Sequence, residues 1–138
     1  MGTSDLPRHQ IIKNLPLLQS EKIPDAAAIV WERLAAQIIS IVGEGGFSSL
    51  YSRSLALTQS TFFWLEFDPR STQAKHRFAE LKMCLERQTP AHASEANLML
   101  LITFTDILAA LIGEQLTTSI LCLAWDYDAA DSVSKEIK

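Results

Sequence analysis

Ile41-Val42-Gly43-Glu44, with an apolar run on either side, returns seventy residues later as Leu111-Ile112-Gly113-Glu114. Aligned without gaps up to the Gly-Glu pair, Trp31 meets Leu101, Leu34 meets Phe104, Ile38 meets Leu108 and Ile41 meets Leu111. One buried stripe at helical spacing is therefore written twice. Gly43 can take the left-handed conformation that closes a helix, and Glu44 after it sits where a negative charge favours the start of the next. The pattern predicts an all-α fold, a four- to five-helix bundle built from two pseudo-repeated helical hairpins, residues 25–65 and 90–125, bridged by one further helix.

In the first hairpin Asp25 is the expected N-cap, and Val30, Trp31, Leu34, Ile38 and Ile41 follow at helical spacing. After the glycine turn a second helix is expected from about residue 46 to 65, with Phe47, Leu50, Tyr51, Leu57, Phe62 and Leu65 inward. Ser71 or Thr72 caps a bridging helix of about 16 residues whose inner positions are Ala74, Phe78, Leu81 and Leu85. Thr89-Pro90 pairs an N-cap with a proline at the first helical position, a strong start signal for a helix over 90–112. That helix is apolar nearly all round from Leu98 onward, as in a central or interface helix, and a last helix spans about 115–125. Residues 1–24 form an N-terminal arm in which prolines at 7, 16 and 24 leave room for one short helix over about 8–15. Ile11, Ile12 and Leu15 are too apolar to float free, so the arm is expected against the main body or a second subunit. Residues 126–138 read as a flexible acidic tail.

A chain of 138 residues with 48% hydrophobic and 20% charged residues is one ordinary globular domain. Its net charge of −4 argues against nucleic acid, whose phosphates require a basic footprint. A local excess of three positive charges over residues 70–88 is read as a solvated helix face, with an anion-facing or partner-facing surface as the alternative. Cys84 and Cys122 lie in apolar helical patterns and are expected as reduced thiols. The start lacks a secretory signal, and Leu98 to Gly113, interrupted by Asp106, is shorter than the roughly 20 apolar residues of a membrane span. No membrane association is expected, and the default location is cytoplasmic.

Asp106 is the first site candidate, because an ionised carboxylate in so apolar a helix must be paired, protonated or turned to a cavity. Arg53 and Arg33 are its candidate partners. One reading is a structural ion pair that fixes the register of the hairpins; the other is the polar floor of a ligand pocket, with Tyr51 and Thr103 adding hydrogen bonds. Along the same helix Ala96, Thr103, Asp106, Ala110 and Gly113 form a small or polar stripe that a neighbouring helix can approach. Phe62, Phe63, Trp64 and Phe67 crowd four aromatic rings into six residues, more than one face can hide, which marks a contact surface. Glu44 and Glu114 are read as helix-start charges; a di-iron bundle would need Glu-x-x-His pairs, and none is present. His76, Glu80 and Cys84 stand at i, i+4 and i+8 without a fourth ligand, so no metal site is assigned. His92 lies in the first turn after Thr89-Pro90. Gly43-Glu44-Gly45-Gly46 lacks the strand and lysine of a phosphate-binding loop, and no hydrolase or dinucleotide signature occurs. No catalytic residue and no cofactor is called for.

Trp31-Glu32-Arg33-Leu34, Gly43-Glu44-Gly45-Gly46-Phe47, Leu50-Tyr51, Arg53-Ser54-Leu55 and Gly113-Glu114-Gln115-Leu116-Thr117 together resemble small bacterial all-helical proteins found near signalling genes. That resemblance covers about residues 27–125 and implies a regulatory or adaptor setting, with no activity attached. The expected function is a non-enzymatic helical interaction module, a homodimer that meets its partner through residues 62–67 or the helix over 90–112. The alternative is a small-molecule-sensing domain with a pocket near Asp106.

Overall fold

A computed structural model describes residues 7–15, 22–65 and 78–125. Among these the chain is all-α, with five helices: α1 (Pro7–Lys13), α2 (Ile23–Gln59), α3 (Ala79–Glu86), α4 (Pro90–Ile112) and α5 (Glu114–Ala124). The expected tail over 126–138 and the expected onset of the bridging helix at Ser71 or Thr72 lie outside the described residues.

Helix α2 is two arms meeting at Gly43, whose φ of 82° and ψ of 169° break the helical path. Gly113, between α4 and α5, has φ 99° and ψ 154°. At Gly43 the positive φ is as expected, but at both glycines ψ is extended rather than left-handed helical. That region of backbone space is essentially reserved for glycine. A Cβ at either position would meet nothing within 4 Å, so the demand for glycine is made by the backbone and not by a neighbour.

The burial pattern repeats with the same offset as the sequence motif. Ile23, Ala26, Ala27, Val30, Trp31, Leu34, Ala35 and Ile38 are buried before Gly43; Ala93, Ala96, Asn97, Leu100, Leu101, Phe104, Thr105 and Leu108 are buried before Gly113. After the glycines Phe47, Leu50, Tyr51, Ser54 and Leu55 match Thr117, Ile120, Leu121, Ala124 and Trp125. The short helices follow the same rule, with Arg8, Ile11 and Leu15 buried in and after α1 where Phe78, Leu81 and Leu85 are buried at α3. Ile41 and Leu111 depart from the expected stripe, being 51% and 68% exposed. They stand in the last turn before each glycine.

The centre of the core is aromatic. Trp31 meets Tyr51 and Phe104 edge-on, each at a centroid distance of 5.3 Å, and Phe78 at 5.7 Å, while Phe47 stacks on Tyr51 at 5.8 Å. Such edge-to-face pairs contribute about 0.5–1.5 kcal/mol each beyond their area. Trp31 Nε1 donates to Asn97 Oδ1 at 2.9 Å, and Trp125 Nε1 donates to the Val30 carbonyl at 2.9 Å, so the indoles also tie α4 and the end of α5 to α2. Helix α3 packs mainly on α2, whereas α1 packs on α4 and α5. The arm thus lies against the main body.

Two helix ends depart from expectation, both of them on α2. Helix α2 starts at Ile23 behind Lys22, because Pro24 fits the first turn and draws the start ahead of Asp25. Asp25 is therefore a first-turn residue and not the N-cap; its carboxylate pairs with Lys82 of α3 at 2.8 Å. Helix α2 ends at Gln59 rather than near 65, where the Ser60 hydroxyl donates to the Leu57 carbonyl at 2.7 Å and competes with helix continuation. Helix α4 begins as expected, with Thr89 Oγ1 accepting from the His92 amide at 3.2 Å.

Candidate functional site

The cluster of polar groups that the fold assembles sits where α1 meets α4 and α5. Arg8 shares the inner face of α1 with Ile11, Ile12 and Leu15, at i, i+3, i+4 and i+7, and that face carries it into the seam until it is only 4% exposed. A guanidinium so placed must find acceptors. Arg8 Nε donates to Glu114 Oε2 at 2.8 Å and Nη2 to Oε1 at 2.9 Å, a two-pronged pair with the first residue of α5. Its Nη1 donates to Asp106 Oδ1 and, at 3.4 Å, to Thr105 Oγ1. His9 Nε2 lies 2.9 Å from Asp106 Oδ1 and donates to it in the tautomer that carries the proton there.

The electrostatics follow from this geometry. Burial opposes the Arg8 charge, but the hydrogen bonds to Glu114 and Asp106 outweigh it and raise the guanidinium pKa above its ordinary value. The hydrogen bond from Arg8 holds the Glu114 carboxyl below the usual range, against the smaller opposing effect of burial. Glu114 also stands at the start of α5, where the helix dipole favours its negative charge. Beside it the surface dips into an open depression of about 610 Å³ lined by Glu114, Gln115, Leu116, Thr118 and Ser119.

The expected site residues do not converge. Asp106 is half-exposed and points at Arg8 and His9, so neither the buried ion pair with Arg53 or Arg33 nor a pocket floor shared with Arg53 and Tyr51 is formed. Arg53 and Arg33 are exposed, Tyr51 is buried in the aromatic core, and Thr103 is half-buried on the side of α4. The outward turn has a simple cause: Asp106 lies about 160° around α4 from Leu108, on the side away from the core, since successive helical residues are ~100° apart. Sequence reasoning missed Arg8 and His9 although their signal was present. An arginine that continues an i, i+3, i+4, i+7 apolar pattern is a buried charge in search of a carboxylate.

The aromatic segment is partly absorbed by the fold. Phe62 and Trp64 meet edge-on at 5.9 Å and pack against the core, Leu65 is buried, and Phe63 alone among the described rings of the segment stands out, at 75% exposure. Phe67 lies outside the described residues. Among the described residues no group of three or more His, Cys, Asp or Glu side chains is placed to hold a metal ion. Cys84 is buried and Cys122 half-buried. Helices α2 and α4 are each long and apolar enough to cross a membrane by length and composition, which corrects the expectation that no segment reaches that length.

Compared with family profiles, curated proteins and solved structures, the chain matches none of them.

Proposed function

We propose that the protein is a non-enzymatic helical interaction module of regulatory type, acting as a homodimer in the cytoplasm, in the bacterial signalling setting that its resemblance implies. The observation that carries this reading is the apolar surface left open: Phe63, Leu111, Leu123, Ile41 and Met83 are each more than half exposed. Where such side chains are contiguous, apolar surface on a small domain is the usual mark of a partner. The polar cluster at Arg8 supports the same reading, because its acceptors are turned on Arg8 and hold the arm in place.

Under this reading the two halves are two copies of one unit, a helical hairpin turned at a Gly-Glu pair and accompanied by a short helix. The coincident burial and the shared backbone geometry of Gly43 and Gly113 support the duplication. A soluble location is supported by Glu32, Arg33 and Gln37 on the outward side of α2 and by Asp106 on that of α4, since charges are costly within lipid.

A second reading, a small-molecule sensor, draws on the depression beside Glu114, the residue after the Ala96–Gly113 stripe and a member of the cluster at Asp106. Native and denaturing mass spectra of the purified chain separate the two. A dimer without added mass is the result expected of the interaction module; a monomer carrying an adduct that is lost on denaturation would establish the sensor instead.

A further inference from the structure

The two short helices are docked crosswise. Helix α1 precedes α2 in the chain but packs on α4 and α5, and α3 precedes α4 but packs mainly on α2. Each hairpin therefore holds the short helix of the other half. Arg8, Ile11 and Leu15 are buried at the same spacing as Phe78, Leu81 and Leu85, so the two seats take the same helical pattern. They differ at its first position. Arg8 is met by Thr105, Asp106 and Glu114, whereas Phe78 packs on the rings of Trp31, Phe47 and Tyr51. An arginine in the second seat would be a charge among rings, and a phenylalanine in the first would leave two carboxylates without their cation.

Resting on the homodimer of the interaction-module reading, we infer that the seat on α4 and α5 is where the dimer forms, its occupant there being α1 of a second copy. Each chain lends its arm to the other. The seat asks for a cation followed by apolar residues at i+3, i+4 and i+7. Of the 12 lysines and arginines in the chain only Arg8 is followed in that way, by Ile11, Ile12 and Leu15. Exchange needs no new complementary surface, because Arg8 meets the same Glu114, Asp106 and Thr105 in a second copy as in its own chain. Helix α1 is also the member suited to exchange. Its seven residues are too few to hold a helix alone, and the carboxylates around Arg8 are half-exposed, whereas α3 is anchored in the aromatic core through Phe78. Crosswise docking already joins the two hairpins of one chain by trading short helices; in the dimer α1 is traded between chains.

Complementary charge reversal in the full chain tests the exchange. Arg8→Glu reverses the arm, and Asp106→Lys with Glu114→Lys reverses the seat. Native mass spectra of the wild-type chain at micromolar concentration are expected to show a dimer. Each reversed chain alone is expected to lose about 100-fold or more in dimer affinity, with its helical circular dichroism retained. An equimolar mixture is expected to restore a dimer of one chain of each kind, since each arm then finds opposite charge in the other chain's seat. A dimer formed through any other face gains nothing from mixing, because each chain's own arm and seat stay mismatched. Arg8→Ala, which removes the cation without reversing it, serves if a reversed chain loses helicity. It is expected to weaken the wild-type dimer about 10-fold or more, and an unchanged dimer would overturn the exchange. Reversed chains that remain folded dimers on their own overturn it while leaving the homodimer standing, as do folded reversed chains that stay monomeric when mixed. A wild-type chain that is monomeric keeps its arm in its own seat and removes both the exchange and the homodimer on which it rests.

Discussion

Two seams at corresponding places in the chain are closed by different chemistry. Where α3 meets α2, Phe78 is 4% exposed and lies within 6.1 Å, ring centre to ring centre, of Trp31, Phe47 and Tyr51. Seventy residues earlier Arg8 is equally buried where α1 meets α4 and α5, but its neighbours are Glu114, Asp106 and Thr105. The apolar seam is part of the core and shares the core's cooperativity. Around Arg8 the carboxylates are 49% and 42% exposed, so water reaches the ion pairs there, although Ile11, Ile12 and Leu15 of the same arm are buried. The lesson is that equal burial does not mean equal contribution: rings shared among several elements stabilise the whole fold, whereas an ion pair at the edge mainly places one helix.

The sharpest way to break this contrast is to truncate both residues. Phe78→Ala is expected to lower global stability by about 3–5 kcal/mol, the range for large aromatic deletions in cores, as read by urea denaturation. An effect below ~1 kcal/mol would place Phe78 outside the cooperative core.

Glu114→Gln with Asp106→Asn leaves the Arg8 charge buried without an ionised partner. Removing the partner of a buried charge costs about 3–5 kcal/mol when the charge cannot escape, but α1 has only seven residues and can undock. The expected result is therefore local: fast amide exchange in α1, with little change in the amides of α4. Global unfolding in step with α1 would show that the arm belongs to the core.

Gly43→Ala and Gly113→Ala sharpen the comparison at the turns. With open space around each added Cβ, the penalty is that of forcing alanine to a positive φ, about 1–3 kcal/mol, and it should be similar at the two sites. A large inequality in thermal melts would show that the two turns are not mechanically equivalent.

The effect of acid on the polar seam is smaller still and has a definite sign. The Glu114 carboxyl is held below its unfolded value, so its contribution is present above the ordinary carboxylate range, near pH 4–4.5, and is lost as pH falls through the lowered folded value. Exchange at α1 should therefore quicken in acid while the Phe78 seam persists. Equal protection of α1 on both sides of that window would remove Arg8–Glu114 as its clamp.

The fold was legible because helical periodicity, the Thr89-Pro90 start and the repeated Gly-Glu each have a local physical cause. Helix α4 has the expected bounds for that reason. The site was not legible to the same degree. Asp106 was recognised as a carboxylate in need of a cation, but its partners stand almost a hundred residues earlier, and periodicity reports which side of a helix is apolar without reporting which helix covers it. Phe62 and Trp64 show a second limit: ring density reports more aromatic side chains than one face can hide, and the turn after Gln59 decides that these two pack partly against the core while Phe63 stays exposed.

Asp25 and Lys82 give the smallest expected effect and the most specific check on the comparison, because they place an ion pair at the apolar seam as well. The pair spans α2 and α3 at 2.8 Å, with side chains 51% and 40% exposed. The hydrogen bond from Lys82 holds the Asp25 carboxyl below its usual range, yet both groups remain in water, where pairing replaces hydration with little net gain and salt screens what is left. Asp25→Asn should leave the melting temperature unchanged within error at high salt. If instead it loosened α3 as Glu114→Gln loosens α1, the two seams would both be held by charge, and the aromatic cluster around Phe78 would be packing that accompanies docking rather than the cause of it.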